Sequence, residues 1–310
     1  MAFFMVENEI KKGWDIYLYY WVIPFFILFT LINYFANFLN FNGFDLGLMV
    51  SVVSFLFGFF LTICFSITTS RLTALKEANA FETGRLTSFF QLSKYLGAEF
   101  HDKVKNFIDQ YTRLTLRDYG NYEIGRASVS SLYDSLYSMD LKTEHKKAIA
   151  NSFLYVLGEF AVIREKLEYL TQMKMIKAMK IANLILASIL IMLLFLSRGE
   201  SFTGTLFVLL STTIVFILLI LEDYDNLKIG DYVINISNAE QLFDLIGKER
   251  YYPENLISKV KLEEGKKYRI GFYNKKENQE KIVTLEYNRS FNLKLTNLFS
   301  KFRKKEEQSN

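Results

Sequence analysis

A single cysteine, Cys64, excludes an intrachain disulfide and any cysteine-rich metal site from this chain of 310 residues. It lies inside an apolar run, where a small buried side chain is its simplest use. The two histidines, His101 and His145, have no neighbours resembling a metal or nucleophile constellation. No glycine loop suited to cradling phosphate is present. Catalysis is therefore the last reading, and no cofactor is expected. A net charge of +4 is small for this length and leaves no nucleic-acid footprint. Proline is scarce as well, and none interrupts residues 71–180.

What is abundant is apolar sequence in blocks. A helix crosses a bilayer core of roughly 30 Å with about 20 apolar residues. Uncharged runs extend over Ile16–Phe44, Leu46–Ser70, Ile181–Ser197 and Ser201–Leu221. They predict four membrane-spanning helices in two hairpins, the first two spans covering about 18–41 and 46–70. The first run is too long for a signal-peptide core and reads as an uncleaved anchor. Pro24 should kink its helix. Lys11, Lys12, Arg71, Lys76, Lys174, Lys177 and Lys180 flank one side of the spans, whereas the short link at Phe41–Asp45 has no basic residue and the second link only Arg198. By the positive-inside rule both termini are cytoplasmic in a multi-pass protein of the cell membrane. Membrane lipid is thus one expected partner.

Between the hairpins, residues 71–180 predict a cytoplasmic helical domain. Leu86, Phe89, Phe90, Leu96, Phe100, Val104, Phe107, Ile108 and Tyr111 recur at helical spacing. One helix is expected to run from the second span to about Tyr95, bend at Gly97 and continue to about Asp118. Another covers about Arg126–Tyr137. Thr143 reads as the N-cap of a helix that enters the third span without a stop signal. Helices 2 and 3 would then extend together into a cytoplasmic bundle. After the second hairpin, residues 181–221, a small α/β region is expected over 222–290. It combines a strand at Tyr232–Ile236, a helix at Ala239–Ile246, and a β-hairpin pairing Tyr268, Ile270 and Phe272 with Val283, Leu285 and Tyr287. A basic tail, 291–310, is expected either to lie on an anionic surface or to be solvated. The fold class is thus all-α transmembrane with a small C-terminal α/β segment.

The second span carries the pattern of greatest interest. Ser51, Ser54, Gly58, Thr62, Ser66 and Thr69 recur at three- and four-residue spacing and share one helix face. Small residues of this kind permit close helix packing. They are equally candidates for lining a pore, with Phe55, Phe59 and Phe65 as candidate constrictions. No ionisable residue interrupts the four runs, which argues against a proton-coupled device. The stator and TolQ-like proton channels share the same span order and rank lower for that reason and because the third and fourth runs contain no proline. Asn33, Asn37 and Asn40 lie on one face of the first span, suited to interhelical hydrogen bonds. Glu222, Asp223 and Asp225 are weak candidates for calcium, which needs six to eight oxygens in a closed loop. Pairing with lysines is the favoured reading of that cluster.

Phe57-Gly58-Phe59, Arg71 with Glu77-Ala78, the stretch Glu222–Ile236 and the helix near Gln241–Ile246 resemble the bestrophin-like prokaryotic membrane family, itself related to bestrophin anion channels. The resemblance implies a homo-oligomer, a pentamer, with an axial pore lined by the second span and conducting a small anion. The spacing from Arg71 to Glu77-Ala78 is longer than the bestrophin pattern, and the acidic cluster is shorter than a calcium clasp, so calcium gating is not implied. The alternative is a non-conducting membrane scaffold or sensor whose cytoplasmic domain binds a partner.

Overall fold

The computed structural model describes residues 15–35, 46–117, 124–198, 201–226, 231–274 and 279–288. Their elements, in chain order, are α1 (Asp15–Phe35), α2 (Gly47–Ser93), α3 (Ala98–Arg117), α4 (Ile124–Tyr137), α5 (Glu144–Gln172), α6 (Lys177–Leu196), α7 (Ser201–Asp225) and α8 (Asp231–Ile246). Strand β1 (Tyr251–Pro253), a 3-10 turn (Glu254–Lys259), β2 (Lys267–Asn274) and β3 (Gln279–Glu286) follow. The chain forms two compact units. One contains Lys76–Gln172 and the described residues from Tyr232 on; the other contains the described residues of Lys12–Leu75 and Met173–Asp231.

The second of these units holds the apolar helices. Among the described residues, three helical stretches, in α2, α6 and α7, are long and apolar enough to cross a membrane, and α1 adds the shorter apolar stretch Val22–Phe35. Residues 36–45, which include Asn37 and Asn40, lie outside the described ones. Phe57 of α2 packs with Ala187 and Leu190 of α6 and Ile214 of α7. Phe29 of α1 meets Phe207 of α7 edge to face at 5.8 Å. One turn away, the side chain of Asn33 fills the space where a Cβ on Gly204 would stand, 3.0 Å from both amide heavy atoms. Asn33 thus sits at a contact between α1 and α7.

The first unit is built on aromatic packing. Phe89 of α2 stacks on Phe153 of α5 at 5.0 Å and meets Phe160 edge to face at 5.3 Å. Phe100, Val104, Phe107, Ile108 and Tyr111 of α3 complete the same core, closed by Leu132 and Leu136 of α4. The chain reverses after α2 at Gly97, whose φ of +128° is a left-handed conformation that favours glycine. Thr143 accepts a hydrogen bond from the Lys146 amide at 3.2 Å and caps α5.

Two expectations need correction. Tyr232–Ile236 is not a strand but the first part of α8. Its β-branched residues favour a strand locally, but Ile236, Ala239, Leu242, Phe243 and Ile246 form one buried stripe at helical spacing, and packing overrides propensity. The parallel strand on β2 is instead Tyr251–Pro253. Nor do α5 and α6 form one helix, because the chain leaves helical geometry over 173–176. The expected hairpin is present, with Tyr268 opposite Leu285 and Ile270 opposite Val283. Gly271 is required there, since a Cβ would collide with the ring and hydroxyl of Tyr251.

Asp109 ties α3 to this sheet. Its carboxylate lies 2.7 Å from Arg269, 3.3 Å from Arg113 and 3.3 Å from Lys248. Burial alone would raise its pKa, but the hydrogen bond and charge of Arg269, with Arg113 and Lys248, hold it below the usual carboxylate range. It therefore stabilises the fold above the unfolded carboxylate pKa, and this contribution is lost as pH falls.

Candidate functional site

Over residues 47–71 of α2 a narrow stripe is buried and most of the remaining surface is exposed, large apolar side chains such as Leu48, Val52 and Leu56 included. Phe57, Cys64, Thr68 and Arg71 are buried against the other helices of the unit. Ser51, Ser54, Gly58, Thr62, Ser66 and Thr69 all lie away from that stripe and are exposed. A Cβ on Gly58 would meet nothing within 4 Å. Among the described residues, none therefore packs closely against these small side chains. Phe55 and Phe59 flank the same face at 72% and 55% exposure. Phe65 is different, since its ring packs edge to face on Tyr224 of α7 at 6.1 Å.

The hydroxyls on this face have a defined direction. Ser51 donates to the Gly47 carbonyl at 2.9 Å, Thr62 to that of Gly58 at 2.8 Å and Thr69 to that of Phe65 at 2.6 Å. Such bonds to the preceding turn satisfy the donors in an apolar setting and leave lone pairs outward. To meet an anion, a hydroxyl must rotate and release its carbonyl. The exposed phenyl rings require no such change, because a ring edge is already the positive part of the aromatic quadrupole.

The acidic cluster after the fourth apolar run is not open. Asp225, 1% exposed, accepts a hydrogen bond from the Met175 amide at 2.7 Å and lies 2.7 Å from the Lys180 ammonium. Arg71 donates to the Asp225 backbone carbonyl at 2.8 Å and stands 3.7 Å from its carboxylate. Lys180 also pairs with Glu222 at 2.8 Å, and Glu222 accepts from Asn226 at 2.7 Å. Cations of the protein itself occupy the oxygens that calcium would need, and among the described residues no acidic or histidine group is arranged to hold a metal. Of the cluster, Glu222 and Asp225 pair with a lysine, Lys180.

This cluster also accounts for the break between α5 and α6. An amide that leaves the helix at Met175 needs a partner, and the Asp225 carboxylate supplies it. Sequence reasoning missed the connection, because Arg71 and Asp225 are 154 positions apart. The available signal was a lone cation ending one span and an acid ending another. A second missed contact is Asn183 of α6, which donates to Cys64 Sγ at 2.9 Å and gives the single cysteine a packing role.

No family model and no curated protein matches the sequence. Among solved structures, the chain is similar to a crystal structure of a membrane protein, with a TM-score of 0.57, 11% identity, and coverage of 73% of this chain and 99% of that one. It is also similar to a crystal structure of a bacterial bestrophin homologue from Klebsiella pneumoniae, a single-substitution variant, with a TM-score of 0.51, 11% identity, and coverage of 75% and 99%. At this identity the likeness concerns the fold. The chain has a bestrophin-like fold.

Proposed function

We propose that the chain forms a homo-oligomeric, bestrophin-like ion channel in the cell membrane that conducts small anions through a pore lined by α2. The observation that carries this reading is the exposed row Ser51, Ser54, Gly58, Thr62, Ser66 and Thr69, away from the stripe packed on the chain's own helices. A row of small, weakly polar side chains left uncovered among the described residues suits the axis of a ring. Phe55 and Phe59 supply apolar narrowing and favourable ring edges. In this reading α1, α2, α6 and α7 all span the bilayer in two hairpins, and both termini are cytoplasmic. The pentameric ring follows the bestrophin likeness.

Reconstitution of the purified oligomer into liposomes loaded with chloride tests the proposal. Chloride efflux above that of empty vesicles is expected when a potential is imposed. No flux from a homogeneous oligomer would favour a scaffold or sensor.

A further inference from the structure

Where α2, α3 and α5 meet, Glu82 is 6% exposed. Tyr111 of α3 donates its hydroxyl to Glu82 Oε1. Arg164 of α5, also 6% exposed, lies with its guanidinium 5.0 Å from the centre of the Tyr111 ring and 5.9 Å from that of Phe160, and its charge acts on Glu82. The other charged groups nearby have their own commitments. Arg85, a turn along α2, pairs with Glu159 of α5 at 3.2 Å. Asp109 of α3 is held by Arg269, Arg113 and Lys248. On the preceding turn of α2, Asn79 is 2% exposed, and its Nδ2 has no acceptor among the described residues.

A carboxylate enclosed in this way must be compensated or protonated. Burial drives the pKa of Glu82 up to about 7, although the Tyr111 hydrogen bond and the Arg164 charge pull it down. We propose that Glu82 is a proton-binding site that locks the junction of α2, α3 and α5 when occupied and loosens it when empty. The folded-state pKa lies above the unfolded value of about 4.5, so the stabilisation is fully present below that value and is lost as pH rises through about 7. The inference does not depend on ion conduction.

Hydrogen exchange on the full-length protein in mild detergent tests it. After correction for base-catalysed intrinsic rates, protection of amides in 76–93, 98–117 and 144–172 should fall roughly tenfold between about pH 6 and about pH 8. In Glu82→Gln, which is always neutral, that dependence should vanish. Tyr111→Phe keeps the ring but removes a donor to the ionised form, so the midpoint should move to higher pH. An unchanged pH dependence in Glu82→Gln would overturn the proposal. So would an unmoved midpoint in Tyr111→Phe, a variant that still reports if the glutamine protein does not fold.

Discussion

Replacing Asp225 by alanine is expected to lower the thermal unfolding midpoint of the detergent-solubilised protein by roughly 10 °C. The carboxylate has three tasks at once. It offsets the charge of buried Arg71, holds one end of Lys180 and accepts the Met175 amide where the helix is interrupted. Its removal takes the acceptor from the Met175 amide and a countercharge from buried Arg71, whose bond to the backbone carbonyl of residue 225 remains, a combined loss of about 3 kcal/mol. Asp225→Asn keeps an oxygen for Met175 and loses only the charge, so its effect should be smaller. Glu222→Gln should change the midpoint least, because that carboxylate is half exposed and shares Lys180 with Asp225. Differential scanning fluorimetry of the three variants checks the order. Equal midpoints for Asp225→Ala and the parent chain would contradict this role for the cluster.

The second large effect concerns conduction. Thr62→Trp and Ser54→Trp are expected to cut chloride flux by about tenfold or more, because a large ring in each subunit crowds the same axis. Both positions are exposed in the chain, so the folded subunit has room for the new side chain. The unfolding midpoint should therefore hold while flux falls. Leu209→Trp is the control, since Leu209 of α7 is 51% exposed and lies outside the proposed lining. Normal flux in all three variants would mean that the α2 face is not the pathway.

Much of the architecture is legible in the residue pattern. Apolar runs mark the candidate spans because lipid demands continuous hydrocarbon contact. The amphipathic period from Leu86 to Tyr111 marks the aromatic core, whereas at Gly97 the expected bend in a continuing helix is instead a reversal between α2 and α3. The alternation at Tyr268–Phe272 marks the hairpin. The misreadings share a physical cause. Tyr232–Ile236 favours a strand on local preference, yet the stripe of which Ile236 is part packs as a helix with residues distant in sequence. The break at 173–176 has no proline or glycine to announce it, since it is stabilised by a carboxylate some 50 positions away.

The candidate site divides in the same way. Spacing alone places Ser51 through Thr69 on one face of α2, because helix geometry is local. It does not say whether that face packs inside the subunit or is left open, a matter decided by Phe57 and Cys64 burying another stripe. Phe65 shares the sequence pattern of Phe55 and Phe59 but is held by Tyr224. Glu82 shows the limit of local reading most clearly. On the sequence it is one more charge on an amphipathic helix, and only Tyr111 and Arg164, brought in by two other helices, make it a buried acid.

Native mass spectrometry of the protein released from mild detergent tests the central claim most directly, because an axial pore requires a ring. A single homo-oligomeric species of five copies is predicted. A stable monomer would leave the α2 face turned to lipid and contradict the channel.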